Sequence, residues 1–119
     1  MNIHIEKIGA MAVVDCEGRM EQSEDSFRLR EAVTSQHDVE TIVVDLSEVT
    51  AIEGSSMGVL VFLQRWARDY NIHFRLFHPS KFVREQLRKV GSIAEFDIPT
   101  LHEMMALLAR SDGRYGLAT

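Results

Sequence analysis

The chain of 119 residues contains few of the residues that cross-link or interrupt a fold. Its one cysteine, Cys16, cannot form an internal disulfide, and because it stands in an apolar run it is expected to be a small buried hydrophobe. Two prolines and seven glycines are too few to predict long disordered segments. No apolar run approaches the ~18 residues of a membrane-spanning helix, and the amino terminus lacks the layout of a signal peptide. These absences predict a cytoplasmic protein without membrane insertion.

Positive charge is also scarce. The chain has 13 Lys and Arg residues against 18 Asp and Glu, and a formal net charge of −5. Binding to nucleic acid needs a basic surface that displaces counterions, so no nucleic-acid partner is predicted. The five histidines lack the spacing of metal-ligand pairs, and with a single cysteine they predict no metal site. A glycine-rich phosphate cradle is missing, which predicts no bound cofactor.

Strand-like and helix-like patterns alternate along the chain. Strands are predicted at residues 2–8, 11–16, 41–46 and 72–77, with a short extended piece around Phe96 and Ile98. Helices are predicted at 22–36, 55–70, 80–90 and 101–110, with Gly91 ending the third of them. This order indicates one layered α/β domain with a partly parallel sheet. The domain is expected to span residues 1–110, and residues 111–119 are expected to form a flexible tail.

The stretch AIEGSSMGVL, residues 51–60, contains Gly54-x-Ser56-x-Gly58, the pattern of a hydrolase nucleophile. Two points argue against that interpretation. The preceding strand is predicted to end at Leu46, too far from Ser56 for the tight strand-to-helix turn that such a nucleophile needs. A domain with the full hydrolase sheet also needs well over ~150 residues. The sequence therefore predicts no hydrolase of this kind.

Two other interpretations of Ser55 and Ser56 stay open on the residues alone. Serine is a favoured helix N-cap, because its oxygen accepts a hydrogen bond from an unpaired N–H of the first turn. A serine at a helix start can also be a phosphorylation site, because the positive end of the helix accommodates a phosphate. Such a phosphate would add about −1.5 to −2 charge at one exposed position.

A longer segment, TIVVDLSEVTAIEGSSMGVLVFL, resembles the signature of the STAS domain, the family of bacterial anti-sigma-factor antagonists and sulphate-transporter C-terminal domains. The matching positions are an Asp-Leu-Ser at the strand end, then Val49 and Ile52, and then Gly58 and Val59. The resemblance covers nearly the whole chain. It implies a mixed, mostly parallel sheet of about five strands with helices packed mainly on one face.

The resemblance also implies a site. The family's phosphorylated residue falls on Ser55, with Ser56 as a second candidate, and its acidic neighbour falls on Glu53. The usual Asp-Ser-Ser-Gly reads Glu-Gly-Ser-Ser here, so the glycine has moved. The implied partner-binding surface is the loop and the start of the helix that follows it: Glu53, Gly54, Ser55, Ser56, Met57 and Gly58.

The implied function is that of an anti-sigma-factor antagonist in a partner-switching pathway. The unmodified form would bind an anti-sigma factor that is also a serine kinase of the histidine-kinase-like ATPase type. Phosphorylation at Ser55 would release the complex, and a phosphatase would reset it. The alternative is a non-phosphorylated STAS scaffold, a subunit of a lipid- or solute-transport complex or of a stressosome-like assembly.

Overall fold

A computed structural model describes residues 1–89 and 96–111. Within these ranges the chain forms four strands and four helices. The strands are β1 Asn2–Ile8, β2 Met11–Met20, β3 Thr41–Ile52 and β4 His73–Phe77. The helices are α1 Ser23–Thr34, α2 Ser55–Asp69, α3 Lys81–Lys89 and α4 Leu101–Ser111. The predicted alternation of strands and helices is confirmed.

The four strands form one mixed sheet in the order β1-β2-β3-β4. β1 and β2 pair as an antiparallel hairpin, with Ile8 opposite Met11. β3 is parallel to both of its neighbours, β2 and β4. Because it is covered on both faces, its Ile42, Val43 and Val44 are fully buried, as expected for a central parallel strand.

The two faces of the sheet carry unequal layers. Alternate side chains of β2 and β3, such as Val14 and Val44, belong to a large core cluster that includes Leu29 of α1, Leu63 of α2 and Leu87 of α3. The opposite face has a smaller cluster, in which Met11 and Val43 pack with Met104 of α4. The prediction of helices mainly on one face is confirmed, with α4 on the other.

Two strands are longer than the sequence predicts. β2 continues to Met20 and β3 continues to Ile52, and the two extensions pair with each other across register shifts after Asp15 and Gly18. The predicted connector at residues 47–54 is therefore wrong, because all but its last two residues belong to β3. The register shifts explain the error, since a bulge interrupts the regular alternation by which a strand is recognised without ending the strand.

Among residues 96–98, the described part of the expected fifth strand, the pairing is a single bridge. Asp97 pairs in parallel with Arg75 of β4, its carbonyl accepts a hydrogen bond from the Leu76 N–H at 2.9 Å, and its carboxylate lies 3.2 Å from the Arg75 guanidinium. The predicted helix end at Val90 and Gly91 lies outside the described residues. The expected tail also lies outside them, except for Ser111, which is the last residue of α4.

Candidate functional site

The candidate site is the sharp turn from β3 into α2. β3 ends at the fully buried Ile52, and only Glu53 and Gly54 separate it from the first helical residue, Ser55. Gly54 is the N-cap and has φ 50° and ψ −117°, a conformation that side chains disfavour. The interpretation of a serine as the N-cap is therefore wrong, since both serines already lie inside the helix.

The start of α2 is the positive end of its helix dipole. Backbone carbonyls of the turn accept hydrogen bonds from the next three N–H groups: Ser56 N–H to the Glu53 oxygen at 3.0 Å, and Met57 and Gly58 N–H to the Gly54 oxygen at 3.2 and 3.4 Å. The first turn of α2 contains no acidic side chain. Negative charge placed at Ser55 would therefore meet the helix dipole without an acidic neighbour in that turn.

Three serine hydroxyls meet where α1 packs on α2. Ser26 Oγ lies 2.8 Å from Ser55 Oγ and 2.8 Å from Ser56 Oγ. Ser26 and Ser56 are buried, with 4% and 0% of their surface exposed, whereas Ser55 is exposed. We call this group the serine cluster. Through it, the candidate phosphorylation site Ser55 is hydrogen-bonded to α1.

Sequence reasoning missed Ser26, which lies 29 positions before Ser55. A signal was present in the helical pattern, because Ser26, Leu29 and Val33 share one stripe of α1 and all three are buried. A serine on the buried stripe of an amphipathic helix needs a hydrogen-bond partner inside the protein. The sequence does not say which residue supplies that partner.

The predicted partner-binding residues divide into two groups. Glu53, Gly54, Ser55 and Gly58 are exposed, and Ser55 and Gly58 are i, i+3 neighbours on α2. Ser56 is fully buried and Met57 is 7% exposed, so both point into the fold. The exposed part of the predicted surface is thus the turn and the outer side of the first turn of α2.

The structure corrects one argument against a hydrolase nucleophile. Because β3 runs to Ile52, the turn before Ser56 is short and tight, and the objection based on its distance from the strand is wrong. A different observation takes its place. The Ser56 hydroxyl is fully buried and its partner is the hydroxyl of Ser26, which is not a base that could activate it.

Two ionisable side chains on β2 have raised pKa values. Burial raises the pKa of Cys16 to about 12, and the charges of Asp15 and Asp45 add to this. Cys16 is fully buried, which confirms its expected packing role. The pKa of Asp15 is raised by partial burial first, and then by the neighbouring carboxylates of Asp45 and Glu17.

The described residues carry no sign of a metal site or of a membrane-spanning helix. In residues 1–89 and 96–111, no three His, Cys, Asp or Glu side chains are grouped so that they could hold a metal ion. None of the helices described above has both the length and the apolar character needed to cross a membrane.

Solved structures with this fold include several anti-sigma factor antagonists. An antagonist from Mycobacterium paratuberculosis has a TM-score of 0.76 and 17% identity, over 90% of this chain and 92% of that one. SpoIIAA in its unphosphorylated form has a TM-score of 0.73 and 17% identity, over 87% and 93%. The Bacillus cell fate determinant SpoIIAA in its phosphorylated form has a TM-score of 0.69 and 16% identity, over 90% and 99%.

At these identities the structural matches establish the fold. No curated protein sequence matches the chain significantly. The model of the STAS domain matches residues 3–104, which is most of the chain and includes the serine cluster and all of the four strands except the first residue of β1. The chain belongs to the STAS domain family.

Proposed function

We propose that the chain is an anti-sigma-factor antagonist whose partner binding is switched by phosphorylation of Ser55. The observation that carries the proposal is the exposed Ser55 hydroxyl on the first residue of α2, at a helix end without acidic side chains in its first turn. Structural neighbours named as anti-sigma factor antagonists support it, one of them solved in both unphosphorylated and phosphorylated forms.

In the proposed cycle the unmodified chain binds an anti-sigma factor of the histidine-kinase-like ATPase type and thereby frees the sigma factor. The kinase transfers a phosphoryl group to Ser55, and a phosphatase removes it. The chain supplies the accepting hydroxyl and performs no catalysis of its own. The proposal places this cycle in the cytoplasm.

The effect of a phosphate follows from where Ser55 lies. At the positive end of α2 the added charge of about −1.5 to −2 is compatible with the fold. The same charge lies among the exposed Glu53, Gly54 and Gly58, which form the proposed docking surface. Burying it against acidic or apolar groups of a partner costs several kcal/mol. A loss of about 3 kcal/mol weakens binding more than a hundredfold.

The test compares Ser55→Ala and Ser55→Asp in binding to the cognate kinase. Ser55→Ala should bind like wild type, and Ser55→Asp at least about a hundredfold more weakly. Thr100→Asp is the matched control, because it places the same charge at the start of α4, on the other face of the sheet. With ATP, wild type should gain the mass of one phosphate and Ser55→Ala none. Equal binding of both Ser55 variants, together with no added mass, would reject the proposal.

A second candidate function is a constitutive scaffold, a subunit of a transport complex or of a stressosome-like assembly. The displaced glycine favours it, because Gly54 stands where the family motif has a serine. Neighbouring genes separate the two functions, since an antagonist is expected beside a kinase and a phosphatase and a scaffold beside transporter subunits. Mass spectrometry of co-purified proteins gives the same distinction.

A further inference from the structure

The serine cluster is a short chain of hydroxyl contacts that runs through Ser26. In the part of the chain that the structure describes, the buried Ser56 hydroxyl has one hydrogen-bond partner, Ser26 Oγ at 2.8 Å. A buried hydroxyl places its proton on an acceptor, so Ser56 donates to Ser26.

The proton of Ser26 then has two acceptors within reach. The Ser55 oxygen lies at 2.8 Å, the usual length of an O–H···O bond, and the Gln22 carbonyl lies at 3.4 Å. The 2.8 Å contact holds the Ser55 oxygen against Ser26 whichever of the two hydroxyls donates.

We infer that Ser26 is a positioning residue for phosphorylation of Ser55; the inference rests on the proposed function. Through the 2.8 Å contact, Ser26 holds the Ser55 oxygen in one rotamer, in which a lone pair stays available to the incoming phosphorus. In the transfer, Oγ forms a bond to the γ-phosphorus of ATP and the bond from that phosphorus to ADP breaks. ADP keeps the electron pair, and the Ser55 proton passes to a base of the kinase. The Ser26 proton stays where it is.

The size of the effect follows from rotamer counting. A serine without this bond distributes its hydroxyl over three staggered rotamers. If one of them presents the oxygen to the kinase, loss of the Ser26 contact lowers kcat by about threefold. KM should stay unchanged, because Ser26 is 4% exposed and lies beneath the docking surface.

The variants must separate positioning from folding. Ser26→Ala alone leaves the buried Ser56 hydroxyl without its partner, and so it destabilises the fold. The double variant Ser26→Ala/Ser56→Ala removes both groups and avoids that penalty. Ser56→Ala is the matched control, since it retains the bond from Ser26 to Ser55.

The experiment measures kinase kinetics and the three-bond Hα–Hβ couplings of Ser55 by NMR for these two variants and wild type. The double variant should have a kcat about threefold below that of Ser56→Ala, with equal KM and rotamer-averaged couplings. Equal kcat in both variants, or a change confined to KM, overturns the inference and leaves the proposed function intact. If wild type takes no phosphate, the proposed function and the inference fall together.

Discussion

Adding one methyl group at Gly54 and at Gly58 should change the stability of the chain in opposite directions. Gly54 is the N-cap of α2 and Gly58 lies four residues later, inside the helix. Both glycines are exposed. A Cβ built at either position meets no atom within 4 Å. Steric clash is therefore absent from both substitutions, and the backbone conformation alone decides the outcome.

The magnitudes follow from that conformation. At Gly54, φ 50° and ψ −117° lie in a sparsely populated region, which costs a side-chain-bearing residue about 1–3 kcal/mol. The lower entropy of the unfolded alanine chain offsets about 0.4–1 kcal/mol of this. Gly54→Ala should therefore destabilise by roughly 1–2 kcal/mol. Gly58 lies in regular helix, so Gly58→Ala should stabilise by up to about 1 kcal/mol.

Urea denaturation at 25 °C measures both effects. With an m-value of about 2 kcal/mol per M, the midpoint should fall by about 0.5–1 M for Gly54→Ala and rise by up to about 0.5 M for Gly58→Ala. Equal m-values for wild type and both variants would show that the change lies in stability and not in the cooperativity of unfolding. A wild-type midpoint for Gly54→Ala, or a lowered one for Gly58→Ala, would refute the reasoning from backbone conformation.

Three further predictions concern single side chains. Ser55→Asp should be more stable than Ser55→Ala by about 0.3–1 kcal/mol in low salt, through the α2 dipole, and melting in about 1 M salt should abolish the difference. Cys16, buried and with its pKa near 12, should resist thiol reagents in the native chain and react once urea unfolds it, so rapid native labelling would contradict its burial. Because the pKa of Asp15 is raised, the folded chain binds the carboxyl proton more tightly than the unfolded chain. The protonated side chain therefore contributes to stability below pH 3.8, and this contribution is lost as the pH rises through the raised pKa. Asp15→Asn should therefore gain stability relative to wild type between about pH 3 and pH 7, and urea midpoints with no relative gain would contradict the shift.

Much of the fold could be predicted from local patterns, and the errors lie where the chain departs from regular pairing. Val49, Ala51 and Ile52 are buried while Ser47, Glu48 and Thr50 are exposed, which is largely the alternation of a half-buried strand. The polar residues after Leu46 hid this pattern. Asp45 adds a turn-like signal, because its carboxylate accepts hydrogen bonds from the Ser47 N–H and hydroxyl at 2.9 and 2.7 Å.

The candidate site could be located from the sequence, but its arrangement could not be derived. The family pattern places a hydroxyl at Ser55 and an acid at Glu53, and both are exposed. The role of Gly54 depends on a φ value, which follows from how tightly β3 turns into α2. The contact to Ser26 depends on how two helices distant in sequence pack together, and hydrophobic periodicity does not carry that information.

The extension of β3 has a consequence for how a partner would associate with the turn. The Glu53 N–H donates to the Met20 carbonyl at 3.1 Å, so the turn is hydrogen-bonded to β2 at the first residue after β3. On the helical side, Ser55 is held to α1 through Ser26. Because hydrogen bonds hold the turn at both ends, its shape is already defined before a partner binds. A partner that binds at the turn, as proposed, would therefore lose little affinity to the ordering of this segment, and its recognition would be closer to rigid docking than to coupled folding.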